Sequence, residues 1–181
     1  MHMLSKFVTG KVAVFIDAAN VFYSQRTLGW RVDYTKLAAY LGKEVDLYGM
    51  YYYTGKVGSL EKQMSFIDKL KICGYHVTAK EVKMIKISHS QSIPKGSLDV
   101  ELALDAYRFR EQFDTLILFS GDSDFAYLLD LLKQDGKRVI VVSMRRHISK
   151  ELIERAKYVP LPKWRPFIEK FKGPDEPALE V

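Results

Sequence analysis

Residues Thr115–Phe125 read TLILFSGDSDF: a β-branched threonine and four apolar residues, a Ser-Gly turn, then two aspartates with one residue between them. The apolar run is too short for a buried helix and shows no alternation. It predicts a strand buried on both faces, as found in parallel sheets covered by helices. The same signature, an apolar run ending on aspartate, occurs at Val12–Asp17 (VAVFID), and a third apolar strand is predicted over Arg138–Val142.

Helical patterns lie between these runs. Asn20–Leu28 closes at Gly29, and Asp33–Leu41 has an aspartate cap with Gly42 behind it. Ser59–Ile72 repeats Leu60, Met64, Ile67 and Leu70 and ends before Gly74. Ser97–Arg110 starts on Ser97 as N-cap, Asp124–Lys133 stops at Gly136, and Ser149–Ala156 is a short helix. Val45–Tyr53 is a tyrosine-rich strand. Tyr75–Ile87 alternates with one slip of phase, and Ser88–Gly96 reads as a polar loop around Pro94. Val159–Leu161 is a last short strand and Trp164–Phe171 a last helical turn or two. Apolar strands alternating with helices predict an α/β domain of three layers, α/β/α, with a mostly parallel central sheet over residues 10–171. The acidic, proline-containing segment 172–181 is expected to fray.

Composition narrows the class. With 48% hydrophobic and 28% charged residues, the 181-residue chain is neither a disordered tail nor a fibre. No apolar run approaches the roughly 20 residues of a membrane span, and the first residues lack a signal-peptide pattern. A single cysteine, Cys73, forms no internal disulfide and suits a reducing compartment, so a cytoplasmic location is expected. The dinucleotide and P-loop glycine patterns and the serine-hydrolase elbow are missing, and the four histidines and Cys73 show no zinc spacing.

Charge is unevenly spread in a chain of net +6. Residues 62–98 carry seven Lys/Arg against two Asp/Glu, residues 99–132 two against eight, and residues 133–172 twelve against four. An acidic block between two basic ones repels a polyanion unless a cation intervenes. In parallel sheets the chemistry gathers outside the carboxyl ends of the strands. Those ends deliver Asp17, with Asn20 just after it, and Ser120, Asp122 and Asp124. Asp99, in the first turn of a helix packed on the sheet, is placed to join them. Clustered carboxylates resist ionising together, and a hard divalent cation, Mg²⁺ or Mn²⁺, resolves the conflict. Such a site suits phosphodiester hydrolysis, with the basic blocks holding the phosphate backbone. Lys95, Arg145 and Arg146 flank the acids and are expected to bind phosphates. Asp105, six positions past Asp99, is read as supporting the site from behind or as structural. Tyr23, Trp30 and Tyr51–Tyr53 are possible base stackers, with packing expected for at least two of the three consecutive tyrosines. Trp164 and Phe167 are expected to seal the domain or to form a partner surface, which permits a homodimer.

Three blocks, FIDAAN (Phe15–Asn20), KGSLDVELALDA (Lys95–Ala106) and SGDSDF (Ser120–Phe125), resemble the signature blocks of the NYN domain, LabA-like branch, of the PIN-like nuclease superfamily. The resemblance spans about residues 10–162. It implies a PIN-like fold, an acidic Mg²⁺ or Mn²⁺ site and an RNA substrate, taken as single-stranded. By position it makes Asp17, Asp99 and Asp122 the metal-binding and catalytic acids, with Asp124 a fourth. It gives Asn20 and Ser120 the orienting of waters or phosphate oxygens. The family usually has one residue between Lys-Gly and the acid. Here Ser97-Leu98 intervene, which predicts a shift of Asp99 by part of a turn. The expected function is therefore a metal-dependent endoribonuclease. Its rivals are a catalytically weak or inactive RNA- or protein-binding module and a phosphomonoesterase.

Overall fold

A computed structural model describes residues 4, 6–56, 61–86, 92–95 and 97–171, of which 83–86 and 92–95 are described as backbone. In chain order the strands are β1 (Lys11–Asp17), β2 (Asp46–Lys56), β3 (Tyr75–Glu81), β4 (Lys83–Lys86), β5 (Ser92–Lys95), β6 (Thr115–Phe119), β7 (Arg138–Ser143) and β8 (Lys157–Pro160). The helices are α1 (Ala18–Leu28), α2 (Tyr34–Glu44), α3 (Glu61–Ile72), α4 (Asp99–Arg108), α5 (Ala126–Gln134), α6 (Lys150–Arg155) and α7 (Arg165–Ile168).

Six strands form one sheet in the order β3-β2-β1-β6-β7-β8, and every neighbouring pair is parallel. Alternation sends successive residues to opposite faces. Val12, Val14 and Ile16 of β1 join Ile117, Phe119, Ile140 and Val142 in a core that includes Leu37 and Leu41 of α2 and Trp164. Ala13 and Phe15 join Leu116, Leu118, Val139 and Val141 in a second core against α4, α5 and α6. The apolar runs are unbroken because both faces are covered, which makes this a three-layer α/β/α arrangement. Among the described residues no helix is long and apolar enough to cross a membrane.

Several boundaries differ from expectation. The phase slip in Tyr75–Ile87 falls at Val82. There the chain leaves the main sheet, and β4 pairs antiparallel with β5. Ser88–Gly96 is thus not all loop, since Ser92–Lys95 is a strand with Pro94 opposite Met84. Proline is tolerated in a two-stranded ribbon at positions whose nitrogen faces away from the partner strand. Gly42 does not stop α2, which continues to Glu44. Tyr51, Tyr52 and Tyr53 of β2 are all buried, in line with the packing expected for at least two of them, while Tyr48 is exposed. Tyr51 stacks on Phe15 at 4.6 Å and on Phe109 at 5.3 Å, while Tyr52 meets Tyr34 edge-on at 5.1 Å. Trp30 and Trp164 are buried as well. Phe167 is exposed and stacks on Tyr40 at 4.7 Å. Residues 172–181 lie outside the described residues.

Candidate active site

Strand order reverses between β1 and β6, so their carboxyl ends border the crevice where such sheets place ligands. Asp17 is the last residue of β1, and Ser120 follows β6. Asp17 also caps α1: its Oδ1 accepts the N–H bonds of Ala19 (3.1 Å) and Asn20 (3.2 Å). Its Oδ2 accepts the Ser120 hydroxyl at 2.9 Å. Ser120 Oγ in turn accepts the N–H of Asp122 at 3.2 Å. Fully buried, Ser120 thus braces one acid against the backbone of another. The expectation that it meets substrate does not fit this placement.

Asp122 Oδ1 accepts the N–H of Asp124 at 3.0 Å, which curls Ser123–Phe125 into a single 3-10 turn before α5. The helix expected from Asp124 therefore begins at Ala126, and Asp124 lies in the turn ahead of it. Asp99 opens α4. Ser97 does not cap that helix from outside as expected. Its Oγ accepts the N–H of Asp99 at 3.1 Å, and its hydroxyl donates to the Asp99 carboxylate. The extra residue before Asp99 does not carry this acid away from the others. One carboxylate oxygen from each of Asp99, Asp122 and Asp124 lies within 4.8 Å of the other two.

Asp17 is not in that trio. It lines the same cavity, of about 230 Å³, with Asn20, Tyr23, Tyr53, Asp99 and Asp122. Burial pushes the Asp17 carboxyl above its ordinary range. The negative charge of Asp99 adds to this, while the hydrogen bonds from Asn20, Ser120 and Ala19 oppose it. No histidine or cysteine lines the cavity among the described residues. An all-oxygen donor set of carboxylates, with room left for water or phosphate, fits Mg²⁺ or Mn²⁺ rather than a thiolate-bound metal.

The remaining predicted residues fall around this centre. Asn20 Oδ1 accepts the Ser143 hydroxyl at 3.3 Å, which ties α1 to the end of β7. Arg145 and Arg146 are exposed on the loop after β7, at the same sheet edge as the acids. Lys95 ends β5, but its side chain lies outside the described residues. Asp105 accepts the Tyr53 hydroxyl at 2.9 Å and so joins α4 to β2, which agrees with a structural role.

Ser143 escaped the sequence reading, and Ser97, Gly121 and His147 have contacts at the site that it did not give them. Ser143 was accessible to the strand-end rule, since it closes β7. His147 is placed by the sequence on the sheet edge beside Arg145 and Arg146, without zinc spacing and with no partner assigned. Its ring instead bridges Ser24 (Nδ1, 3.3 Å) and Thr27 (Nε2, 3.1 Å) of α1. The Thr27 hydroxyl can donate to the Tyr23 carbonyl at 3.2 Å, an arrangement in which it accepts from Nε2–H. Gly121 has a steric reason, because a Cβ there would overlap the His147 carbonyl oxygen.

A parallel sheet of this order, with acids from β1, β6 and the α4 start at its carboxyl edge, has the architecture of the PIN-like nuclease fold. The NYN domain profile matches residues 11–161, and the chain belongs to the NYN domain family. It is 34% identical over 177 residues to the low amplitude and bright protein LabA of Synechococcus elongatus, a match covering 93% of each chain. It also resembles the crystal structure of a protein of unknown function from Vibrio parahaemolyticus. That likeness has a TM-score of 0.73 at 28% identity and covers 88% of this chain and 96% of that one.

Proposed function

We propose that this protein is a metal-dependent endoribonuclease that hydrolyses phosphodiester bonds of single-stranded RNA in the cytoplasm. One observation carries the reading: carboxylates from separate segments, Asp99 on α4 and Asp122 and Asp124 after β6, converge within 4.8 Å. Like charges gathered at that range are unfavourable alone and favourable around a divalent cation.

Asp99, Asp122 and Asp124 would hold Mg²⁺ or Mn²⁺, with Asp17 on the adjoining wall of the cavity. Such an ion, when bound, lowers the pKa of water and offsets charge building on phosphate oxygens. Asp17 is fixed by its cap bonds and by Ser120, so it presents negative charge in a set position without reorganising. Asn20, anchored by Ser143, orients a water or a phosphate oxygen. Arg145 and Arg146, exposed at the sheet edge, bind neighbouring phosphates, and Lys95 serves the same purpose from the α4 side.

The test is incubation of end-labelled single-stranded RNA with the full chain in Mg²⁺, Mn²⁺ or EDTA. Internal cuts that need the metal and vanish in EDTA are expected. Retention of RNA without cutting in either metal would make the protein a binding module. Hydrolysis of a chromogenic phosphate monoester with RNA left intact would make it a phosphomonoesterase.

A further inference from the structure

The geometry points to a nucleobase-stacking subsite on α1, formed by Tyr23 with Phe22, for a nucleotide flanking the phosphate held at the acidic cavity. This rests on the reading of that cavity as an RNA-cleaving site. Burial sorts the aromatic residues that the sequence offered. Trp30, Tyr51, Tyr52 and Tyr53 are all under 9% exposed and packed into the cores. Tyr23 is 58% exposed and its neighbour Phe22 is 48% exposed.

Helical spacing places these rings beside the acids. Asn20 and Tyr23 are three residues apart and Ala19 and Tyr23 four, so all three share one face of the helix that Asp17 caps. Tyr23 lines the acidic cavity. It also lines a second cavity of about 540 Å³ that includes Phe22. Ala19, Tyr23, Gly55 and Ser97 line both, so the two cavities adjoin, with Tyr23 on their shared wall. That volume is within the range of about 300–1,000 Å³ typical of ligand clefts.

The chemistry of these cavities favours a base held by its face. The Phe22 and Tyr23 rings meet edge-on at 5.6 Å, so each limits the other's rotation. The Arg26 guanidinium lies 5.9 Å from the Phe22 centroid and adds positive charge beside the rings. The Gly55 carbonyl on the shared wall already accepts from Gln63 Nε2 (2.8 Å) and Thr54 Oγ1 (3.2 Å). With both lone pairs engaged it has little left for reading base edges. Stacking on an aromatic face tolerates any base and requires an unpaired one.

The test uses the full chain and fluorescence anisotropy of a 5′-labelled decauridylate, with Ca²⁺ replacing Mg²⁺ and strand integrity checked on a gel. Tyr23→Leu keeps an apolar side chain but removes the π face, and Tyr23→Trp keeps one. Tyr23→Leu is expected to weaken binding roughly five- to hundred-fold, and Tyr23→Trp to retain it. An abasic decamer is expected to bind the parent and Tyr23→Leu equally. Equal affinity of parent and Tyr23→Leu for decauridylate, in a protein that still cuts RNA in Mn²⁺, overturns the subsite alone. So does a loss that the abasic decamer shares in full. A parent that neither binds nor cuts RNA overturns the cleavage site and the subsite with it.

Discussion

Backbone N–H groups and serine hydroxyls hold three of the acids at the sheet edge: Asp17, Asp99 and Asp122. Asp17 is both a helix cap and a partly buried charge, and the two roles separate on substitution. Asparagine is as good a cap as aspartate, so Asp17→Asn keeps an acceptor for Ala19 and Asn20 while removing the charge. Asp17→Asn and Asp122→Asn are therefore expected to fold normally by circular dichroism. Each should lose Mn²⁺-dependent RNA cleavage by roughly a hundred-fold or more, read by single-turnover kinetics. The raised Asp17 carboxyl also fixes the sign of a pH effect. A folded-state pKa above the unfolded value means that ionisation costs stability. That cost is absent below the ordinary carboxylate range, grows as pH rises through it, and is complete above the raised value. In EDTA, Asp17→Asn is therefore expected to match the parent Tm near pH 3 and to equal or exceed it at pH 7. Conversely, Mn²⁺ is expected to raise the parent's Tm more at pH 7 than at pH 5, because protonation competes with the cation.

At the scale of elements, the site depends on loops packed without spare space. Gly121 lies against His147, and the Gly121 carbonyl accepts the N–H of Ser149 at 2.9 Å. The loop carrying Asp122 is thereby seated on the loop carrying Arg145 and Arg146. Gly121→Ala forces the two apart and is expected to cost about 1–3 kcal/mol, a fall in Tm of roughly 2–10 °C in a chain of this size. Differential scanning fluorimetry reads it directly. Much of this level was legible beforehand. The unbroken run at Thr115–Phe119 has the boundaries of β6, and of the acids that the sequence places at strand ends and at the α4 start, Asp99, Asp122 and Asp124 come within 4.8 Å of one another while Asp17 stands outside that trio. The hairpin of β4 and β5 was not legible, because a turn-rich segment with proline carries the same local signal as a loop. Ser97 was read as a cap because a serine before a helix usually is one. That its hydroxyl also holds the Asp99 carboxylate is tertiary detail with no periodic signature. The clamp of His147 on Ser24 and Thr27 joins residues more than a hundred positions apart, which no local pattern encodes.

Across the whole molecule, charge and topology act together. The sheet order brings an acidic segment of the chain to the edge where β7 also ends, so an anion-repelling centre sits beside exposed arginines. A phosphate chain is then attracted along the rim and tolerated at the centre only with a cation in place. Replacing Arg145 and Arg146 with alanine is expected to weaken RNA binding and to flatten the slope of log K against log salt. Two lost phosphate contacts on a single strand reduce that slope by about 1.4, which an anisotropy titration at several salt concentrations measures. An unchanged slope would place the phosphate track elsewhere. The most direct test of the account is a Mn²⁺-soaked crystal measured for anomalous scattering. The account predicts a peak within coordination distance of Asp99, Asp122 and Asp124. A manganese-soaked crystal whose map lacks a peak at that cluster would contradict it.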